Sequence, residues 1–298
     1  MARVIGMGEL LWDNFPDGRQ PGGAPGNVAY HAGLLDADAA VLTSVGDDQD
    51  GRDLFTEVEA AGLDTCLIQT NPGHPTGVVE VTLTDGQPEY EIAAAAWDHI
   101  TFNEAVLDEL RAADAVCFGT LAQRHEDSRA TIQACLAAAE NALKVFDVNL
   151  RQDFYSAEVI SVSLHQADVV KLNGDEVATV SELLGLPGDH TEFAAALGKT
   201  FGVRTVCITR GGDGCILYEG GETADIEGVD VELVDAVGAG DAFTAALIVT
   251  TLEGYELAAR GEIANAVGAL VATRRGAMPD IRPELEVMFG EEDQLPDA

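Results

Sequence analysis

The chain has 298 residues, with 16 Lys plus Arg against 52 Asp plus Glu, a net charge of −36. That balance excludes a nucleic-acid binder, which needs clustered Lys and Arg, and disfavours attachment to anionic lipid. Yet 47% of residues are hydrophobic and 32 are Gly, so the acidity coats a folded chain of one or two domains and is not a disordered tail.

In chain order, Val4-Ile5 opens as a strand, and Glu9 to Asp13 has the style of a small sheet. Val41 to Val45 is the next strand. From Gly77 to Ile92 the period changes: Val79, Val81 and Leu83 alternate with Glu80, Thr82 and Thr84, and Asp85-Gly86 supplies a tight-turn signal. That pattern is an antiparallel hairpin, either a lid or a mere decoration on an α/β domain. Strands then recur at Ala115 to Phe118, Val145 to Val148, Val169 to Leu172 and Val206 to Thr209, separated by Ala/Leu-rich helical stretches such as the one after Ser128. A further strand is expected at Val229 to Val234. Two long helices close the pattern, one after Gly240 and one from Leu257 to Thr273, and the tail after Arg282 reads as a frayed acidic end. Apolar strands alternating with helices mean a mostly parallel sheet covered on both faces.

Only Lys144, Lys171 and Lys199 are lysines. An acidic surface stripped of lysine fits adaptation to high salt, where the Debye length falls to about 3 Å near 1 M and self-repulsion is screened. The five cysteines (Cys66, Cys117, Cys135, Cys207, Cys215) form no C-x-x-C pair and read as reduced, mostly buried thiols. The six histidines include no H-x-x-H or H-E-x-x-H, so the sequence supports no zinc site. With neither a signal peptide nor an apolar run of ~20 residues, a soluble cytoplasmic protein is expected.

Two phosphate-loop look-alikes fail on spacing. Gly198-Lys199-Thr200 has Phe193 where a Walker loop needs its first Gly, and Gly6-x-Gly8 has Leu11 where a dinucleotide fingerprint needs its third. The strongest signal is Asp235-Ala236-Val237-Gly238-Ala239-Gly240-Asp241-Ala242-Phe243. Small residues ahead of a helix let an anion approach the backbone N–H groups. Asp241, in the first turn, could merely cap the helix; beside bound phosphate it can take a proton from an attacking hydroxyl.

This stretch resembles the C-terminal signature of the ribokinase-like sugar kinases, the PfkB carbohydrate kinase family. Gly22-Gly23-Ala24-Pro25-Gly26-Asn27-Val28-Ala29 resembles the family's N-terminal signature, and the likeness spans nearly the whole chain. It implies a single ribokinase-like α/β/α sandwich over residues 1–298, with lid strands inserted from about 9–22 and 76–97. It also implies ATP-dependent phosphorylation of a sugar hydroxyl. By the same resemblance Asp241 is the base, with Gly238, Ala239 and Gly240 forming the anion hole. Asp13, Gly23 and Asn27 contact sugar, as an amide that donates and accepts is suited to do. Asn173 and Glu176 match an Asn-x-x-Glu motif that arranges Mg2+ through water. Thr209 and Gly212 lie beside the nucleotide, Asn265 lies near adenine, and Asp235 belongs to a monovalent-cation site for K+. Position 236 is Ala where the family commonly has Thr, which removes a hydroxyl near the anion hole.

Gly8 to Asp13, Gly119 to Arg124 and Asp147 to Tyr155 look like the fructokinase branch, so Arg124, Asn149 and Arg151 are further candidates for ligand contact at strand ends. The implied partners are ATP and a small sugar, and a homodimer through the lid is admitted. Fructose is the leading acceptor. Ketohexokinase, ribokinase, 2-keto-3-deoxygluconate kinase and nucleoside kinase activities are the alternatives, together with a catalytically silent sugar-binding regulator of the same fold.

Overall fold

The computed structural model describes residues 1–15, 18–84 and 87–289, with residues 81–84 and 87–91 described by their backbone. Strand β1 (Arg3–Met7) leads through β2 (Leu11–Phe15) and β3 (Gly18–Gly22) into helix α1 (Ala24–Leu34). Next come β4 (Asp38–Gly46), α2 (Gln49–Ala60), β5 (Ile68–Asn71) and the pair β6 (Gly77–Thr84) and β7 (Gln87–Ile92). Alternation then sets in with α3 (Glu104–Ala112), β8 (Ala115–Phe118), α4 (Glu126–Ala138), β9 (Leu143–Asp147), α5 (Ala157–Gln166) and β10 (Val169–Asn173). The chain continues as α6 (Gly174–Leu184), α7 (His190–Phe201), β11 (Thr205–Thr209), β12 (Cys215–Glu219) and β13 (Glu222–Ile226). Helices α8 (Ala239–Leu252), α9 (Leu257–Ala272) and α10 (Arg282–Phe289) complete it.

Nine strands form the main sheet in the order β13-β12-β11-β10-β9-β8-β1-β4-β5. Pairing is parallel from β5 to β11 and antiparallel at the β11-β12-β13 edge. Strand alternation divides the core between the two faces: Val4 packs with α1, α8 and α9, whereas Ile5 and Met7 pack with the α3 to α7 side. The result is a three-layer α/β/α sandwich. A second sheet, β3-β2-β6-β7, stands apart from the first. Its β6 and β7 run antiparallel, with Val79 opposite Ile92, as the alternation suggests; Asp85 and Gly86 lie outside the described residues.

Two expectations are corrected. Val229 to Val234 forms no strand. The β13 segment already occupies the sheet edge, and the amides of Val234 and Asp235 turn instead to the carbonyl of Ala272 at the end of α9. Residues after Arg282 form α10 and do not fray at once, while Glu291-Glu292-Asp293 lies outside the described residues. The Lys199 look-alike falls inside α7, as its dismissal requires. Cys66 is exposed and the other four thiols are buried and free. Among the described residues, no helix is long and apolar enough to cross a membrane.

Candidate active site

Ligands of open parallel sheets gather at the carboxyl ends of the strands, where strand order reverses. Here the reversal falls at β1, flanked by β8 and β4. A cleft of about 620 Å³ opens there, walled by the segments following β1, β9, β10 and β11 and by the first turns of α1 and α8. A larger hollow of about 840 Å³ lies at the far ends of α1 and α8, but none of its charged residues is buried. Buried charged residues, Glu9, Lys171 and Glu176 among them, line the smaller cleft.

Gly238 caps α8 in the left-handed region at φ 78°. A side chain there would bring its Cβ within 2.6 Å of the Ala277 backbone, so only glycine serves. The helix then starts with i→i+3 bonds: Ala239 N donates to Ala236 O at 3.3 Å and Asp241 N to Gly238 O at 3.1 Å. The N–H groups of this first turn lie at the helix's positive end, where an anion is favoured.

Asp241 is held by Asn27, whose Nδ2 donates to its Oδ2 at 2.7 Å. Burial, reinforced by nearby Asp147, pushes the Asp241 carboxyl up to about 6, against the pull of Asn27, Lys171 and Arg151. Asp13 is also pushed up to about 6 by burial and then by Asp241. Its carboxylate lies where a Cβ at Gly22 would fall, 2.0 Å from Oδ2. Glu9 is buried, and that burial pushes it up to about 7. The Oδ1 of Asn27 and the Oε2 of Glu9 are buried without a hydrogen-bond partner. Asn27, Glu9 and Asp13 all line the cleft, so its floor is rich in acceptors that want donors. A polyhydroxylated ligand supplies donors of that kind.

Opposite stands a buried cation. Lys171 Nζ lies 3.1 Å from both carboxylate oxygens of Asp147, and Thr244 Oγ1 donates to Asp147 Oδ2 at 2.8 Å. Burial pulls the Lys171 ammonium down, but Asp147, Glu176 and Asp241 more than reverse this, so its pKa is raised. A Cβ on Gly240 would stand 3.3 Å from Nζ, placing the charge beside the mouth of α8. Glu176 and Asn173 form a reciprocal cap on α6. Asn173 Oδ1 accepts from Glu176 N at 2.9 Å, and Glu176 accepts from Asn173 N and Leu150 N at 2.8 Å each. Burial raises Glu176 above its ordinary range. After β9 the chain turns sharply, with Asn149 at φ 43° and Gln152 at φ 49°. Strained backbone of this sort clusters at functional sites, and it brings Asn149 and Arg151 to the cleft wall.

The structure thus brings together Asp13, Gly23, Asn27, Asn149, Arg151, Asn173, Glu176, Thr209, Gly238, Gly240 and Asp241 around one cleft. Ala239 stands in the adjoining first turn of α8. Asp235 lies just behind, its oxygens accepting from Val237 N and Gly276 N at 3.0 Å. Gly212 and Asn265 sit on a shoulder outside the lining, joined through Glu227 and Gly228: Asn265 Nδ2 donates to Glu227 O at 3.2 Å, and Gly228 packs on Gly212 O. Arg124 lies apart from this group. Its guanidinium forks onto Asp98 at 2.8 Å, bonds the carbonyls of Ile92 and Ala93, and is sandwiched between Trp97 and Phe154. It does not line the cleft, and four of its five N–H groups are engaged by the protein.

Sequence reasoning passed over Glu9, Asp147 and Lys171 as site residues. The one available signal was Lys171 itself, a rare lysine inside the apolar run Val169-Val170-Lys171-Leu172. Charge buried in a strand requires a partner.

The pfkB family carbohydrate kinase profile matches residues 14–284. A sugar kinase of Pyrococcus horikoshii is 32% identical over 295 residues, covering 92% of this chain and 91% of that protein. Its structure in complex with ATP superposes with a TM-score of 0.84 over 98% of this chain and 100% of that one, at 29% identity. An Escherichia coli fructokinase is 29% identical, with 96% of this chain and 98% of that protein covered. An ATP-dependent ribose-1-phosphate kinase of Halopiger xanaduensis is 30% identical, with 93% and 94% covered. Both signatures, the sandwich with its second sheet and the match across the chain converge, and the protein belongs to the pfkB family of carbohydrate kinases.

Proposed function

We propose that this kinase transfers the γ-phosphoryl group of ATP to a hydroxyl of fructose. The observation that carries the reading is the 2.7 Å bond from Asn27 to Asp241. It ties the acceptor-rich floor to the helix mouth, so a hydroxyl held by one reaches the carboxylate of the other. Asp13 and Asn27 hold the sugar, and Asp241 takes the proton of the attacking hydroxyl as its oxygen bonds to γ-phosphorus. The bond to the β,γ-bridging oxygen breaks in line, and ADP leaves with that electron pair. The first-turn amides of α8 and the Lys171 ammonium offset the charge on the transferring group. Residues 9–22 and 76–97 form the lid of a single kinase domain, and its closure excludes water.

Glu176 spends one lone pair of each carboxylate oxygen on a backbone amide and keeps a second, which fits water-mediated Mg2+ alongside Asn173. When bound, Mg2+ supplies charge neutralisation at the phosphates. Asp235 likewise retains lone pairs for K+, although Ala236 offers no hydroxyl to it. Thr209, Gly212 and Asn265 form the nucleotide side.

Ribose-1-phosphate is the second reading, favoured by the Halopiger relative and by exposed Arg151 on the cleft wall, a cation able to meet an acceptor's own phosphate. Initial rates with MgATP against fructose, ribose, ribose-1-phosphate, adenosine and 2-keto-3-deoxygluconate decide between them. Fructose should give the highest kcat/KM, and Asp13→Ala should weaken sugar use far more than ATP binding. Another acceptor beating fructose tenfold leaves a kinase but removes the fructokinase.

A further inference from the structure

Half of the six histidines meet at one place outside the cleft. His74 precedes β6, His99 follows β7 in the turn Ala96–His99, and His125 is the N-cap of α4. The rings of His74 and His99 stack with centroids 3.6 Å apart and planes 15° apart, and His125 lies 4.3 Å from His99. Asp127 completes the group: its Oδ2 is 2.7 Å from His99 Nδ1 and 3.7 Å from His125 Nδ1. One donor atom from each of His99, His125 and Asp127 falls within 4.8 Å of the others.

Helix capping explains one of these contacts, the 3.3 Å bond from Asp127 N to His125 Nδ1. It gives no reason for two further imidazoles to converge from the two ends of the β6–β7 insertion. Nor does it explain His74 Nδ1, which is buried with no hydrogen-bond partner. A tetrahedral ion with bonds of about 2.0–2.2 Å needs its donor atoms roughly 3.3 Å apart, and the observed 2.7 and 3.7 Å straddle that spacing. Loading the ion exchanges the cap bond at His125 Nδ1 and the hydrogen bond at His99 Nδ1 for metal bonds.

We propose that His99, His125 and Asp127 form a binding site for a divalent first-row transition metal, with Zn2+ the fitting ion. Two imidazoles and one carboxylate suit Zn2+, Ni2+ or Cu2+, whereas Mg2+ prefers an all-oxygen shell. The ion would tie the segment returning from β7 to the first turn of α4, and it is separate from any metal at the phosphates.

The test is calorimetric titration of Zn2+ into the metal-free, untagged full chain in high-salt buffer, with thermal melts alongside. The site predicts one saturable equivalent, a melting temperature raised by Zn2+ and not by equal Mg2+, and affinity lowered at least ~10-fold by either His125→Ala or Asp127→Ala. Their side chains are 46% and 60% exposed, so both variants keep the fold, which the metal-free melt checks. No saturable binding, an affinity in both variants unchanged from that of the parent chain, or loss of binding in Cys66→Ser instead would overturn the site.

Discussion

The ammonium of Lys171 bridges both carboxylate oxygens of Asp147 at 3.1 Å while standing beside Gly240 at the mouth of α8. The pair is buried on both sides. Removing one partner of a buried pair strands the other charge in a poor solvent, at a cost of about 3–5 kcal/mol. Lys171→Met should therefore lower stability by about that amount in urea melts, and kcat should fall more than KM rises. Lys171→Met combined with Asp147→Leu should recover most of the stability but not the turnover. Recovery of both would make the lysine structural only.

As the proposed base, Asp241 must be charged to accept a proton, and its carboxyl is pushed up to about 6. The kcat/KM for sugar should rise with pH through that region and level off above it, the limb belonging jointly to Asp241, Asp13 and Glu9. Asp241→Asn should remove ~10²–10⁴-fold of kcat with little change in folding. Stability carries the opposite sign. Glu9, raised to about 7 in the fold, binds more protons folded than unfolded between its ordinary value near 4 and that point, so its contribution falls as pH rises across that window. Glu9→Gln should flatten that part of the melting-temperature profile. Normal turnover by a folded Asp241→Asn protein would sink the base assignment.

With a net charge of −36, self-repulsion is unscreened in dilute buffer. Melting temperature and activity should both climb toward molar KCl, and NaCl should match KCl for stability. A melting temperature indifferent to salt would show that the acidity serves another purpose.

The stretch from Asp235 to Phe243 was legible because its chemistry is local: small residues, a carboxylate and a helix start within nine positions. The pairing of Lys171 with Asp147 was not. It exists only because β9 and β10 run parallel in a register that sets those two residues side by side, and strand adjacency leaves no mark in a single sequence. The histidine group hides for the same reason, being gathered from three segments with no common spacing. Val229 to Val234 misled through its alternation, since Val229, Leu233 and Val234 are exposed and follow the strand that closes the sheet. That strand, Glu222–Ile226, escaped notice because a polar edge needs few apolar residues.

The β6–β7 insertion is fastened at both ends by side chains from the body. Where it begins, Thr76 N donates to Asp48 Oδ2 at 2.8 Å and Thr76 Oγ1 to Asp48 Oδ1 at 2.6 Å. Where it ends, Arg124 grips the carbonyls of Ile92 and Ala93. Neither fastening draws on a side chain between them. The segment from 77 to 92 is therefore held at its ends by contacts its own side chains do not supply, and along its length by β2, with which β6 pairs and where Asn14 Nδ2 donates to Glu80 Oε1 at 2.8 Å: a relative's hairpin that keeps this pairing can be exchanged for it while the mouth of α8 stays as it is.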